Sequence, residues 1–371
     1  MKDNRDKVGK EILEKLTYPV HGILELSPRV GKTKIGIEII KKQKCNSILW
    51  VTSSAKLRDE DIPEEFVTWK AKRYLPKTTI IHYNSLNQVK GKFDIIILDE
   101  FQAITEANTA GLFNKDIEYG SIVGLTGTIP KHDEKLDILR KLKLKVLVKI
   151  TIDEAVEQEL VSDYTINVVE IPMDAVTRNV PAGTKKAPFN TTEVASYQYL
   201  CKRVNQAMWS GNPKVTQFAI LARLRFVYNS PSKLDVAKKL VSKLDGRKLV
   251  FAGSIKHAEE ISVTNYHSKT NDKDLQAFLN GDIDLLACVN AGGTGFTYKN
   301  VDHFIIVQSD SNKSGSTTQK LARSLLLQKD YKAQIWILCL MGTQDEKWVE
   351  EALKSFDENK VNYINVKNLK L

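Results

Sequence analysis

The chain has 371 residues, 42% hydrophobic and 27% charged, with a formal net charge of +10. Its length favours two domains, and its composition excludes a collagen-like, disordered or disulfide-stapled chain. No apolar run reaches the ~18 residues of a membrane helix and the charged first ten residues hold no secretory core, so a cytoplasmic chain with no membrane partner is expected.

In chain order, residues 8–16 suit a short helix ended by the turn Thr17-Tyr18-Pro19. The apolar run 23–26 predicts a buried strand. A short loop follows, and Gly31-Lys32-Thr33 opens an amphipathic helix carrying Ile35, Ile37, Ile39 and Ile40. Strand, loop, Gly-Lys-Thr and helix form the setting of a phosphate-binding loop, although the strict pattern has glycine where this chain has Leu26. Backbone N–H groups at such a helix start cradle phosphate, Lys32 reaches the terminal phosphates, and the Thr33 hydroxyl can ligate Mg²⁺. Arg29, Val30, Gly31 and Lys34 complete the expected cofactor-binding set.

Further strands are expected at 47–52, 79–82, 93–98, 121–125 and 146–150. The strand at 93–98 ends on two carboxylates, Asp99 and Glu100. At the end of a strand beside a phosphate loop, Asp99 can hold Mg²⁺, largely through water, and Glu100 can polarise an attacking water. Near-continuous apolar strands alternating with helices predict a parallel sheet covered on both faces.

A strand at 164–173 enters a second unit. Residues 175–245 read as mostly helical and basic, with loops at 179–192 and 210–214. Strands at 248–251, 283–288, 303–308 and 334–340 then alternate with helices at 257–261, 273–279, 317–327 and 344–356. The fold class is therefore α/β, with two tandem parallel-sheet domains, 1–155 and 156–371, and a basic helical insertion in the second. Residues 175–248 hold 14 basic and 3 acidic side chains, +11, and the remainder of the chain nets −1. So lopsided a segment suits a polyanion-binding surface better than a solvated helix face. Arg223 and Arg225 lie in it, with Trp209 and Tyr228 interleaved, which could stack on bases or lie in the core, the core being the favoured reading of both. The four cysteines, 45, 201, 288 and 339, read as buried reduced thiols.

In order along the chain, these motifs resemble those of superfamily 2 helicases and translocases of the DEAD/DEAH-like, ResIII type. Ser27-Pro-Arg-Val-Gly-Lys-Thr33 resembles motif I and Asp99-Glu-Phe-Gln102 motif II. Leu125-Thr126-Gly127-Thr128 resembles motif III and Val250-Phe-Ala-Gly-Ser254 motif IV. Val289-Asn-Ala-Gly-Gly-Thr-Gly-Phe296 resembles motif V, and Gln319-Lys-Leu-Ala-Arg323 the start of motif VI. Within the superfamily the chain is most similar to compact phage helicases of the UvsW type and, in motif V, to Snf2-like translocases.

The resemblance implies two RecA-like domains with ATP and Mg²⁺ in the cleft between them. Lys32, Asp99 and Glu100 would act from one wall, and Gln319 and Arg323 from the other. Leu326 stands where a second arginine is usual. Gln102, Thr126, Gly127 and Thr128 would couple nucleotide to the domain interface. A polar turn is an alternative reading of the last three. Thr52, Ser53 and Ser54, Tyr83 and Asn84, and Gly292, Gly293 and Thr294 would contact nucleic acid, with Gly295 near the nucleotide. The implied partner is nucleic acid, DNA favoured over RNA, and the implied state a monomer. Two other readings stay open: a duplex translocase without strand separation, and a nucleic-acid-binding module with weak or no ATPase.

Overall fold

The computed structural model describes residues 2–27, 29–114, 116–127, 129, 133–184, 186–289, 298, 300–310, 317, 320–321, 324–325 and 331–369. The first sheet is built from β1 (Gly22–Leu26), β2 (Ile48–Thr52), β3 (Thr78–His82), β4 (Gly91–Asp99), β5 (Ile117–Thr126) and β6 (Val146–Ile150). Its strands run in the order β3-β2-β4-β5-β1-β6 and every pairing is parallel. Parallel pairing needs a crossover between successive strands, and helices supply most of them. α2 (Lys32–Gln43) joins β1 to β2, and α3 (Ile62–Thr68) lies in the β2–β3 connection. α4 (Glu106–Phe113) precedes β5, and α5 (Asp133–Lys141) precedes β6.

The central strands are covered on both faces, so β2 and the second halves of β4 and β5 are buried without alternation, whereas the edge strand β6 is largely exposed. Ile48, Trp50, Ile95 and Ile97 pack into one core, and Leu49, Val51, Ile96 and Leu98 into another. α1 (Lys2–Lys15) joins the first core through Val8, Ile12 and Leu13, with Leu16 just past its end. That spacing is the buried stripe of an amphipathic helix. Gly36 permits α2 to lie close on the sheet: a Cβ there would sit 3.0 Å from the Trp50 ring and 3.1 Å from Leu125.

α6 (Ile152–Glu157) follows β6, opened by a reciprocal capping box between Thr151 and Glu154. The second sheet comprises β7 (Asp163–Ile171), β10 (Lys248–Ala252), β11 (Asn265–Tyr266), β12 (Leu285–Val289), β13 (His303–Ile306), β14 (Lys332–Leu340) and β15 (Val361–Asn365). Its order is β11-β12-β10-β13-β14-β7-β15, again parallel throughout. α9 (Pro231–Lys243), α10 (Ile255–Ile261), α11 (Lys273–Asn280) and α12 (Gln344–Leu353) connect and cover it.

Between β7 and α9 stand a two-stranded antiparallel hairpin, β8 (Val180–Thr184) with β9 (Ala187–Thr191), and two long helices, α7 (Glu193–Trp209) and α8 (Pro213–Tyr228). Loops were the expectation for 179–192. The hairpin strands read Val-Pro-Ala-Gly-Thr and Ala-Pro-Phe-Asn-Thr and are largely exposed, so proline, glycine and missing alternation hide them. α9 belongs with the sheet, since Leu234, Val236, Ala237 and Leu240 pack against β10, β13 and β14. The edge strands β11 and β15 also lie outside the expected set. Of the expected helix 317–327, only residues 317, 320–321 and 324–325 are described.

Candidate functional site

The loop after β1 turns tightly. Arg29 and Gly31 both have positive φ, 72° and 94°, on either side of the buried Val30. Ser27 N donates to Ile150 O at 2.9 Å and ties the loop to the end of β6. The N-cap of α2 is Gly31, which has no side chain to occupy the first N–H groups of the helix. The Lys32 side chain is 13% exposed, with its Nζ 4.0 Å from Glu100 Oε1. Lys34 is engaged elsewhere: its ammonium pairs with Asp6 of α1 and stands 4.1 Å from the Trp69 ring centroid.

β1 and β4 flank β5, so the ends of all three strands lie along one edge of the sheet. In parallel α/β sheets, ligands bind at that edge. Asp99 is buried at the end of β4 and accepts from Glu100 N at 3.0 Å. Burial pushes its carboxyl up to about 7, Glu100 adds to the rise, and Lys32 opposes it. Glu100 adopts a left-handed conformation, φ 52°, that turns the chain sharply after the strand. The Gln102 side-chain amide donates to Glu100 Oε2, and the Thr126 hydroxyl donates to Gln102 Oε1 at 2.6 Å. Lys32, Glu100, Gln102 and Thr126 thus form one polar chain across the ends of β1, β4 and β5. Gly127 follows Thr126 directly, and Thr128 lies outside the described residues.

Thr33, half-buried in the first turn of α2, and the buried Asp99 offer oxygen donors only, and oxygen suits Mg²⁺. A carboxyl held near 7 by burial is a group that a divalent cation would return to its charged form. The residues therefore fit the expected metal, with Lys32 and the start of α2 disposed for phosphate.

The proposed nucleic-acid residues of the first sheet also meet. Thr52 and His82 are register partners at the ends of β2 and β3, and His82 Nε2 lies 2.9 Å from Ser53 O. Asn84 N donates to His82 Nδ1 at 3.1 Å, and Ser54 Oγ accepts from Leu57 N at 3.2 Å. Tyr83 points inward instead: it is buried, and its hydroxyl donates to Asp99 O at 3.0 Å. Its side chain braces the carboxylate strand and is closed to nucleic acid. The sequence did not single out His82, and it named Glu100, Gln102 and Thr126 without the hydrogen bonds that join them, because the Thr126–Gln102 contact depends on the pairing of β4 with β5.

Gly292, Gly293, Thr294, Gly295, Gln319, Arg323 and Leu326 lie outside the described residues. Their described neighbours form a polar hub around Asp310. Its carboxylate accepts from Tyr228 at 3.1 Å, Gln308 at 2.6 Å and Lys320 at 3.0 Å, and its N–H donates to Thr317 Oγ1 at 2.7 Å. Arg223 is half-buried on α8, where its charge acts on Tyr197, and Arg225 is exposed. The core expectation fails for Trp209, which is 92% exposed, whereas Tyr228 packs against Trp348 with ring centroids 6.2 Å apart.

Residues 232–325 match the family model described as "Helicase conserved C-terminal domain". No curated protein sequence matches the chain. Solved structures of similar fold include the ATP-dependent Type ISP restriction-modification enzyme LlaBIII bound to DNA, at TM-score 0.60 and 14% identity. That alignment covers 99% of this chain but 31% of the larger enzyme. The Pyrococcus furiosus Hef helicase domain aligns at TM-score 0.52 and 13% identity, over 94% of this chain and 97% of that one. S. cerevisiae Dbp5 bound to RNA and ADP BeF3 aligns at TM-score 0.56 and 11% identity, over 97% and 89%. Two tandem RecA-like domains are the fold shared with these structures.

Proposed function

We propose, for a chain of helicase fold whose residues 232–325 match a helicase C-terminal domain, that it is a nucleic-acid-dependent ATPase that moves on and remodels DNA. The observation that carries this reading is the polar chain Lys32–Glu100–Gln102–Thr126 beside buried Asp99, on one edge of a parallel sheet. Bound ATP with Mg²⁺ would supply the scissile phosphoanhydride and the cation that offsets its charge. The chain's own groups do the rest. The start of α2 and Lys32 bind the phosphates, Thr33 and Asp99 hold the metal, and Glu100 orients and polarises water. Gln102 and Thr126 hold Glu100 in place and connect it to the end of β5. Gln319 and Arg323 are the residues assigned to the opposite wall, from motif resemblance.

DNA rather than RNA, a branched substrate and a monomeric enzyme follow from the resemblance to compact UvsW-type helicases. A boundary near residue 155 is supported by the gap between β6, ending at Ile150, and β7, starting at Asp163. The basic excess over 175–248 supports a polyanion partner. ATP turnover compared across single-stranded, duplex and forked DNA and RNA tests the reading. DNA should stimulate turnover, and Lys32→Ala should abolish it. Full nucleic-acid-stimulated turnover by Lys32→Ala would overturn the assignment.

A further inference from the structure

α7 and α8 form a helical hairpin whose foot is clamped and whose tip is free. At the foot, the buried Glu193 carboxylate accepts from Ser230 Oγ at 2.6 Å, Ser232 N at 3.0 Å and Asp174 N at 2.8 Å. At the tip, Thr216 Oγ1 donates to Ala207 O at 3.0 Å and Asn212 caps α8, fixing the turn between the helices. The hairpin has a core of its own, Val204, Ala207 and Ala219 with Ile220. A hairpin with so small a core ordinarily leaves polar residues outside. Here the outer surface carries Trp209 at 92% exposure, Phe218 at 73%, Met208 at 63% and Tyr199 at 60%.

The charges around these rings have one sign. No acidic residue occurs between 194 and 234. Lys214, Phe218, Leu221 and Arg225 follow one another at i, i+4, i+7 and i+11 on α8, all exposed, so cations bracket an apolar stripe. On α7, exposed Lys202 and Arg203 adjoin Tyr199, with the Arg203 guanidinium 6.0 Å from the Tyr199 ring centroid.

We infer that this hairpin is a stacking platform for unpaired nucleotides, with bases on Trp209, Phe218 and Tyr199 and phosphates on Lys202, Lys214 and Arg225. Exposed rings interleaved with cations of a single sign match single-stranded nucleic acid, whose backbone is a polyanion and whose unstacked bases offer π faces. A duplex hides those faces, so the platform selects single strands or the open arm of a junction. The inference deepens the proposed function and rests on it only for the class of partner.

The test titrates fluorescently labelled 20-nucleotide single strands and the matching duplex by anisotropy, without ATP, against the full chain and the double variant Trp209→Ala, Phe218→Ala. Both side chains are exposed, and an unchanged melting curve checks the fold. The variant should bind single strands at least about tenfold more weakly, with duplex binding changed less than about threefold. A strand bound at Trp209 should also shield this chain's most exposed indole from acrylamide, and Trp209→Phe should remove that shielded fraction. Equal single-strand binding by variant and wild type overturns the platform. So does a variant that keeps strand binding but loses self-association on gel filtration, or loses binding to poly-glutamate, since the face would then serve a second copy or an acidic protein. Because binding is read without ATP, failed ATP turnover would sink the proposed function and leave this result to stand or fall alone.

Discussion

The Thr126 hydroxyl donates to Gln102 Oε1 at 2.6 Å, joining the end of β5 to the residue whose amide holds Glu100. Gln102 spans two roles because its amide is bipolar: the oxygen accepts from Thr126 while the nitrogen donates to the carboxylate. Gln102→Glu keeps the length but replaces the donor with a second carboxylate beside Glu100. Nucleic-acid-stimulated turnover should fall about ten- to a hundredfold, with nucleotide affinity changed less than about threefold. Thr126→Val should give a smaller loss of the same kind. Nucleotide affinity measured with a fluorescent ATP analogue separates the two effects. A Gln102→Glu variant with full stimulation would show that this chain of hydrogen bonds does not govern hydrolysis.

Asp99 has a stability signature as well as a chemical one. Its carboxyl is pushed up to about 7 from an ordinary 3.8, so the folded state holds a proton that the unfolded chain releases. Stability contributed by the protonated acid is present below about pH 4 and is lost as pH rises towards 7. The loss is on the order of a few kcal/mol, since each tenfold difference in proton affinity between the two states is worth about 1.4 kcal/mol. Asp99→Asn cannot ionise, so in EDTA without nucleotide it should melt higher than wild type at pH 8 and alike near pH 4.5. The same variant should lose at least about a hundredfold in ATP turnover, because the metal loses its carboxylate. An Asn variant less stable than wild type at pH 8 would contradict a carboxylate strained by burial.

Much of this was legible because buried parallel strands are continuous apolar runs. Ile-Ile-Ile-Leu at 95–98 and Ile-Leu-Trp-Val at 48–51 leave little choice of element, and their spacing dictates crossovers. Elements that bury little left no such trace. β15 reads Val-Asn-Tyr-Ile-Asn on an edge, and the β8–β9 hairpin is mostly exposed. Trp209 reads as core by residue type, yet it is the last residue of α7, where no further turn of helix gives it a neighbour. Among the candidate site residues, Lys32, Asp99 and Glu100 announce themselves by local pattern. Asp310 does not: its partner Tyr228 lies 82 residues away along the chain, and only the fold brings the two together.

Lys233 and Asp345 form an ion pair with no exposed side-chain surface, tying α9 to the start of α12. Lys233 Nζ also donates to Val307 O at 2.9 Å, and Asp345 Oδ2 accepts from Leu340 N at 2.9 Å. The pair thus braces the ends of β13 and β14, on the sheet that carries the helicase-matched segment. Burial nonetheless outweighs the attraction of Lys233 and raises the Asp345 carboxyl above its ordinary value. Charges removed from water are costly, so such a pair contributes little net stability while its halves are expensive to leave alone. Lys233→Met should destabilise the chain by about 3–5 kcal/mol in urea unfolding, because Asp345 is left buried without its cation. The deficit should shrink as pH falls, since the stranded carboxyl escapes its penalty by taking a proton that the unfolded chain takes only near pH 4. The double variant Lys233→Met, Asp345→Leu removes both charges and should recover most of the loss. If Lys233→Met cost under about 1 kcal/mol at pH 8, or the double variant were no better than the single one, the pair would not be the brace that its burial implies.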